Sequence, residues 1–259
     1  MDFLSRILLM LLSLPVMLIA LAAHESAHGY MAYKLGDPTA RNLGRITLNP
    51  IKHFDLFGFL SMLVFHIGWA KPVPINARNF KKPRRDMALT GAAGPLSNLA
   101  LALVHLVVLR IVMFIIPHFF TQEAIAFGLA YNNAQPFEGS LGFTIVSLIL
   151  YLLFMGVALN VMLAIFNLIP VPPFDGSRIF YAFLPPKLYF GVMKYERYIM
   201  MGFIALFLVL TYTKLNPLGL VENLALDGLL FITGMGEGTV TGIVLNNMVG
   251  YVQVLLTFG

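Results

Sequence analysis

Cysteine is absent from this sequence of 259 residues, and charged side chains are scarce. Without cysteine the chain can form no disulfide bond and can use no thiol nucleophile. Charged residues make up 11% of the chain and hydrophobic residues 59%, whereas soluble domains carry roughly 25% charged residues. So few charges cannot cover a surface that faces water. The composition therefore predicts an integral membrane protein surrounded by the lipid bilayer and built as a single domain over residues 1–259.

Long apolar runs predict the membrane spans, because a helix needs about 20 apolar residues to cross the hydrocarbon core. A shorter segment, around Ile179 to Leu184, predicts a helix at the membrane face or within the bundle. The fold class that follows is an all-α polytopic membrane protein with about five to six transmembrane helices. The predicted spans are Phe3 to Leu35, Met87 to Ile116, Leu141 to Phe166, Arg197 to Thr213 and Val240 to Phe258.

Lysine and arginine are distributed unevenly between the spans, and this predicts the topology. Ten of them lie between Lys34 and Arg85, and none lies between Pro117 and Gly139. Because basic loops stay in the cytoplasm, five spans with an external N-terminus satisfy every loop. The net charge of +5 is therefore typical of membrane-protein loops, and no nucleic-acid partner is expected.

The apolar stretch from 54 to 70 has basic residues on both flanks, so both of its ends lie on the same side of the membrane. We interpret it as a re-entrant segment that dips into the membrane, since a full crossing would invert every later loop. Its neighbours at 44–50 and 68–76 contain prolines and β-branched residues, which favour extended chain over helix. They predict short membrane-associated β-strands.

The sharpest chemical signal is the run His24-Glu25-Ser26-Ala27-His28, which lies in the first apolar run. Side chains at positions i and i+4 of a helix lie on one face, so the two imidazoles can bind one zinc ion with Glu25 beside it as general base. Ionisable groups inside an apolar helix are costly to bury and therefore indicate a functional site. The alternative is a polar patch that lines a helix interface or caps the span near water.

A catalytic zinc site normally has three protein ligands, so a third ligand must come from elsewhere in the chain. Asp175 stands out because it follows Pro170, Pro172 and Pro173, which stop a helix directly after an apolar span. Broken backbone at membrane depth is tolerated only where protein or a water-filled cavity covers it. The alternative role of Asp175 is the N-cap of a short helix. The candidates for the third ligand are His53, Asp55, His66, Asp86, His105, His118 and Asp175.

Several motifs follow one another along the chain: HESAH at 24–28, GRITLNP at 44–50, GWAKPVPIN at 68–76, AGPLSN at 93–98 and NLIPVPPFDG at 167–176. Together they resemble the site-2 protease family of intramembrane zinc metalloproteases, in particular its small prokaryotic members without a PDZ domain. The resemblance covers most of the first 200 residues. Phe174 departs from the family pattern, which has leucine before Asp-Gly, but the aspartate itself is present.

The resemblance implies a zinc cofactor and a set of functional residues. It assigns Asn167 and Asn98 to contacts with the substrate or with the oxyanion formed from it. The alternative for both asparagines is hydrogen bonding between helices. The implied catalytic residues are Glu25, Asn167 and Asn98, and the implied zinc ligands are His24, His28 and Asp175.

By the same resemblance, the chain is expected to be an intramembrane zinc metalloendopeptidase. It would hydrolyse peptide bonds within or near the transmembrane segments of membrane-protein substrates, in a prokaryotic cell membrane. The catalytic core covers about residues 1–200, and the C-terminal helices cover about 197–259. The alternative is a membrane transporter whose His and Asp side chains bind a metal or carry protons. Glu25 distinguishes the two, because a transporter does not need a carboxylate between two histidine ligands.

Overall fold

The computed structural model is predominantly helical over the residues that it describes, which are 3–65, 69–133, 137–212, 223, 225–230, 233–236 and 239–258. Short 3-10 turns lie at Pro50–His53 and Ala77–Asn79. The predicted all-α class is confirmed for this part of the chain. The helices are α1 (Phe3–Lys34), α2 (Thr39–Asn42), α3 (Leu56–Phe65), α4 (Pro83–Ile115), α5 (Pro117–Asn132), α6 (Leu141–Asn167), α7 (Asp175–Ala182), α8 (Pro186–Tyr212) and α9 (Val240–Phe258).

Helices α1, α4 and α6 are long and apolar enough to cross a membrane. Their candidate spans contain 28, 33 and 27 residues, against the approximately 20 residues that a crossing needs. They coincide with three of the predicted spans to within a few residues. With the scarcity of charge, these helices make the chain a multi-pass integral membrane protein.

The other two predicted spans lie in α8 and α9. Helix α8 begins at Pro186, well before the predicted start at Arg197, so its first turns carry Lys187 and Lys194. Charged residues are costly in hydrocarbon, and the described part of α8 that follows them ends at Tyr212. Within the described residues, the helices that have the length and composition of a span therefore number three, fewer than the five to six predicted.

The predicted β-strands at 44–50 and 68–76 are wrong in the part of each that the structure describes. Gly44 turns the chain with a positive φ of 63°. Residues 71–76 form neither a helix nor a ladder to a second strand, and the prolines at 72 and 74 favour extended backbone in the residues before them. Prolines and β-branched residues indicated correctly that neither segment is an α-helix. A strand also needs a neighbour whose backbone groups are free to pair with it, and composition does not reveal whether one is present.

Carboxylates take the place of a strand partner beside residues 71–76. Glu25 Oε2 accepts a hydrogen bond from the Val73 N–H at 2.7 Å. Asp37 Oδ2 accepts one from the Asn76 N–H, also at 2.7 Å. The extended segment is thereby attached to a side chain of α1 at one point and to the turn after α1 at another.

Asp37 is fully buried just after the end of α1, and several donors satisfy its carboxylate. Oδ1 accepts hydrogen bonds from the Thr39 hydroxyl at 2.5 Å and from the Asn79 side-chain amide at 2.7 Å. Burial by itself raises the pKa of this carboxyl, but the bonds from Thr39, Asn79 and the Asn76 backbone bring the pKa below its ordinary value. Asp37 therefore stays ionised and holds the turn against the extended segment.

Helix α3 covers ten residues of the apolar stretch 54–70. At 1.5 Å per residue it is about 15 Å long, roughly half of the hydrocarbon core of about 30 Å. It is therefore too short to cross by itself, as a re-entrant segment requires. The path of this stretch relative to the membrane stays a prediction.

Two helices differ from the sequence-based expectation. Helix α5 occupies a stretch in which the sequence predicts only an external loop, and it begins at a proline, which is favoured in the first turn of a helix. Helix α7 begins at Asp175, before the predicted start at Ile179. The N-cap of α7 is Phe174, so the alternative role of Asp175 as the N-cap is wrong.

The chain divides into two compact units, although its description as a single domain stays a prediction. The residues that the resemblance assigns as catalytic groups and zinc ligands all lie in the second unit, whereas His105 and His118, two of the other candidates for the third ligand, lie in the first. The first unit consists of Met1–Met17, Leu101–Leu159 and Asn223–Gly259, and the second consists of Leu18–Ala100 and Asn160–Glu222.

In the first unit, α5 packs closely against α9. The Asn247 side chain of α9 donates to the Ala124 carbonyl of α5 at 2.9 Å. Gly128 makes room for this amide, since a Cβ there would lie 2.6 Å from Asn247 Nδ2. The rings of Phe127 and Tyr251 meet edge to face with their centroids 5.4 Å apart.

Candidate metal centre

His24, His28 and Asp175 lie together in the second unit. The Nε2 atoms of the two imidazoles are 3.0 Å apart. Asp175 Oδ2 lies 3.1 Å from His24 Nε2 and 3.0 Å from His28 Nε2. Both histidines are buried, with exposed fractions of 5% and 6%. In the described part of the chain, no other group of three His, Asp or Glu residues brings ligand atoms this close.

Two helices present these side chains. His24 and His28 are four residues apart on α1, so they lie on one face of it. Asp175 is the first residue of α7 and follows the proline-rich segment 170–173. The prolines cannot continue the α6 helix, and the chain that leaves α6 places the carboxylate beside the two rings.

Gly94 allows α4 to lie directly against the two imidazoles. A Cβ at this position would lie 2.4 Å from His28 Nε2 and 2.6 Å from His24 Cε1. Real Cβ atoms do not approach other atoms this closely. The absence of a side chain at Gly94 is therefore a condition for the arrangement of the two histidines.

The Nδ1 atom of each histidine lies within hydrogen-bond distance of an acceptor. His28 Nδ1 lies 2.7 Å from the Thr90 carbonyl oxygen, which can only accept, so this nitrogen carries the proton. His24 Nδ1 lies 2.6 Å from Asn98 Oδ1, also an acceptor. With the proton on Nδ1, a neutral ring at either position presents a lone pair at Nε2 towards Asp175.

Two lone pairs and a carboxylate oxygen that face one another favour a cation between them. The three atoms are 3.0–3.1 Å apart, close to the spacing of about 3.3 Å between ligand atoms of a tetrahedral zinc ion. Two imidazoles and one carboxylate are also a known ligand set for catalytic zinc, in which the fourth position is left for water. The three residues therefore fit a zinc ion.

Glu25 lies between the two histidines in the sequence and is partly buried. The hydrogen bond from the Val73 N–H to Oε2, 2.7 Å long, connects it to the extended segment. Pro72 and Pro74 flank Val73 and have no N–H of their own. Val73 is therefore the only backbone donor in this Pro-Val-Pro run, and it holds the Glu25 carboxylate.

The other two aspartates considered as third ligands are engaged at helix starts. Asp55 Oδ1 accepts a hydrogen bond from the Gly58 N–H at 2.8 Å, at the beginning of α3. Asp86 accepts one from the Lys82 N–H at 2.9 Å and pairs with Arg85 at 2.7 Å in the first turn of α4. Both carboxylates are satisfied at these helix ends.

The remaining histidines considered as ligands do not join the cluster in the described structure. His53 Nε2 lies 2.9 Å from the Thr47 carbonyl oxygen. His105 Nδ1 lies 2.8 Å from a carbonyl oxygen of its own helix. His118 packs against the ring of a neighbouring phenylalanine. His66 lies outside the described residues.

The two asparagines predicted to act on the substrate have different surroundings. Asn167 is partly buried and donates through Nδ2 to the Leu163 carbonyl of its own helix at 2.9 Å. Asn98 has no exposed surface and contacts His24. Sequence reasoning missed Asn160, whose Oδ1 accepts from Asn98 Nδ2 at 2.8 Å. A polar residue in the middle of an apolar span is the signal that could have identified it.

The chain is similar to known peptidases over most of its length. The model of peptidase family M50 matches residues 13–210, which include the whole cluster. The chain belongs to peptidase family M50. It is also 40% identical, over 200 residues, to the protein named "Putative zinc metalloprotease YwhC" of Bacillus subtilis (strain 168), and this match covers 77% of the chain and 80% of that protein. No solved structure matches the chain significantly.

Membership of peptidase family M50 confirms the predicted resemblance to site-2 proteases and makes the chain a peptidase. Nothing in these similarities favours the alternative of a transporter. The matched region begins within α1 and extends almost to the end of α8, at Tyr212.

Replacement of Gly94 by alanine is expected to disrupt the candidate metal centre of this M50 peptidase. The added methyl group would overlap both imidazoles, so they could no longer converge with Asp175. We expect the metal content of the purified Gly94→Ala protein to fall by about tenfold or more, the scale of effect seen when ligand positioning is lost. Elemental mass spectrometry of the detergent-purified protein measures it.

Gly191→Ala is the matched control for Gly94→Ala. Gly191 lies in α8, and a Cβ there would have no heavy atom within 4 Å. This variant should keep the metal content of the wild type. A folded Gly94→Ala protein that also kept it would contradict the close packing of α4 against the histidines.

Proposed function

We propose that this M50 peptidase is an intramembrane zinc metalloprotease, which hydrolyses peptide bonds within or near the transmembrane segments of membrane-protein substrates. The observation that supports this most strongly is the cluster of His24, His28 and Asp175. Two members of it, with Glu25 between them, lie on a helix that is long and apolar enough to span the membrane. The name of the Bacillus subtilis relative, a zinc metalloprotease, agrees with zinc as the ion.

In the proposed site, the zinc ligands are Nε2 of His24, Nε2 of His28 and Oδ2 of Asp175. When bound, zinc supplies an acidified water molecule and polarises the carbonyl group of the scissile peptide bond. Glu25 accepts a proton from the attacking water at its carboxylate. The same carboxylate then returns a proton to the leaving amine, so Glu25 acts first as general base and then as general acid.

The hydrogen bond to the backbone prepares Glu25 for this role. Val73 engages Oε2, and no hydrogen bond of the described residues engages Oε1. One oxygen thus holds the side chain in place while the other can accept the proton. Val73 is itself buried, with an exposed fraction of 6%, so water does not readily displace its N–H from Glu25.

Asn167 is assigned to the substrate or to its oxyanion. It is the last residue of α6 and adjoins the proline-rich segment. One hydrogen of its amide is donated to Leu163, and the second can be donated to a carbonyl oxygen as negative charge develops on it. Asn98 is fully buried against His24, so it acts on the site through that histidine and does not contact the substrate.

The proposed membrane arrangement has five spans in a single domain. Helices α8 and α9 cross the membrane in addition to α1, α4 and α6, and α3 dips in without crossing. The concentration of basic residues between Lys34 and Arg85 supports this arrangement, because it places that region in the cytoplasm. The bacterial origin of the relative favours a prokaryotic cell membrane as the location.

Substrates of this proposed site are membrane proteins whose helix has to unwind before it is cut. The carbonyl groups of an intact helix are engaged in backbone hydrogen bonds and cannot reach a catalytic group. Helix-breaking residues near the scissile bond should therefore promote cleavage. Single-span membrane proteins with glycine or proline in the span are the substrates to test first.

Glu25→Gln should abolish proteolysis and leave zinc bound, because Glu25 is the base and not a ligand. The variant and the wild type are each expressed together with epitope-tagged single-span membrane proteins, and the cleaved fragment is quantified. We expect the cleavage rate to fall by about 100-fold or more, the usual contribution of a general base. The zinc content of the purified protein should stay at one ion per chain, as expected of a site with three protein ligands.

Glu138→Gln, the same change at an exposed glutamate, is the control and should cleave as the wild type does. His24→Ala should lose both zinc and activity. Cleavage at a rate near that of the wild type by Glu25→Gln would contradict the assigned role of Glu25.

Single cysteines can test the proposed topology directly, since the native chain has none. Asn132→Cys and Asn223→Cys should react with an impermeant maleimide added to intact cells. Lys82→Cys and Lys187→Cys should react only after the membrane is permeabilised. External labelling at position 82 would contradict the orientation, and protection at position 223 would show that α8 does not cross.

A further inference from the structure

A buried chain of side-chain hydrogen bonds joins α1, α4 and α6 next to His24. His24 Nδ1 lies 2.6 Å from Asn98 Oδ1. Asn98 Nδ2 lies 2.8 Å from Asn160 Oδ1 and 3.3 Å from the Ala20 carbonyl oxygen. Neither asparagine has any exposed surface. The parts of these three helices that belong to the second unit thus meet at polar groups that water does not reach.

The direction of these hydrogen bonds follows from the Ala20 carbonyl, which can only accept. The Asn98 amide nitrogen must therefore face Ala20 and Asn160, and its two hydrogens are used on these two acceptors. Asn98 Oδ1 is left facing His24, so His24 Nδ1 must be the nitrogen that carries the proton. A neutral ring with its proton on Nδ1 presents a lone pair at Nε2.

The position of Asn98 distinguishes this arrangement from ordinary bonding between helices. An asparagine that only joins helices can bond any nearby backbone group. Asn98 instead connects a metal-ligand candidate to two acceptors, in the way that metal-bound histidines commonly use their second nitrogen. Asn160 restricts the orientation of the Asn98 side-chain amide, because rotation of this amide would break the bond to Asn160 Oδ1.

We propose that Asn160 and Asn98 are positioning residues that act in series on His24. Asn98 fixes which nitrogen of His24 is protonated and how the ring is oriented, and Asn160 fixes Asn98. This inference rests on the proposed function, since it concerns the zinc ligand His24. It adds Asn160, which no sequence motif indicated, to the residues on which zinc binding depends.

The series of contacts from Asn160 through Asn98 to His24 is called the relay below. Zinc affinity, measured in the full-length, detergent-purified protein by competition with a chromophoric chelator, tests it. Asn98→Leu should weaken zinc binding by about 10- to 100-fold, the usual effect of losing a partner of a metal ligand. Asn160→Leu should weaken it by about tenfold. The double variant should bind zinc as Asn98→Leu does, because Asn160 acts only through Asn98.

Two further variants separate positioning from general damage to the structure. Asn160→Asp keeps an oxygen that accepts from Asn98 and should bind zinc within about threefold of the wild type, below the scale of losing a ligand's partner. Asn247→Leu removes a partly buried asparagine bond between helices in the first unit and should not alter zinc affinity. If Asn160→Leu does not fold, the smaller change Asn160→Ala takes its place with the same expected loss of affinity.

Zinc affinity equal to that of the wild type in Asn160→Leu or Asn160→Ala would overturn the relay. So would a double variant in which the two losses of affinity multiply. The His24→Ala variant provides a separate test of the proposed function. If His24→Ala loses zinc while the Asn160 variants keep it, only the relay is wrong, whereas undiminished zinc binding in His24→Ala would refute the metal centre itself.

Discussion

Every polar group inside hydrocarbon needs a partner, and this structure depends on that constraint. Groups without a partner are strongly destabilising there, and three side chains in or beside the candidate metal centre have partners. Thr90 and Asn98 accept from the two histidines, and Ser26 is bonded to the backbone of Thr47. The three candidate ligand atoms are subject to the same requirement. Nε2 of His24, Nε2 of His28 and Oδ2 of Asp175 lie about 3 Å from one another, and a cation bound between them would satisfy all three atoms at once.

The same constraint explains how the protein positions Glu25, the proposed catalytic base, within an apolar helix. The carboxylates of Glu25 and Asp37 would be costly to bury without donors, and the extended segment 71–76 supplies backbone N–H groups to both. The segment in turn has these N–H groups satisfied without a neighbouring strand. The same hydrogen bonds therefore stabilise the segment and orient the Glu25 carboxylate. A change that displaces the segment also displaces this carboxylate.

Local periodicity made much of the site predictable, and tertiary packing determined the rest. The spacing of His24 and His28 indicates a shared helix face, and the prolines before Asp175 indicate a break at membrane depth; both inferences need only neighbouring residues. The bonds of Asn98 and Asn160, and the space left by Gly94, depend on which faces of α1, α4 and α6 meet, and no local pattern encodes that. The strands were predicted wrongly for a related reason, because composition indicates extended chain but not what pairs with it. The chain's membership of family M50 was predictable because its motifs are local.

X-ray absorption at the zinc K edge reports the atoms bound to the ion. Measured on the purified protein, it tests most directly whether His24, His28 and Asp175 bind zinc. We expect a first shell made only of nitrogen and oxygen atoms at about 2.0–2.2 Å, with the outer-shell scattering of two imidazole rings. One imidazole contribution should be lost in His28→Ala if zinc is retained at all. A spectrum without imidazole scattering, or one that neither His24→Ala nor His28→Ala alters, would contradict the account.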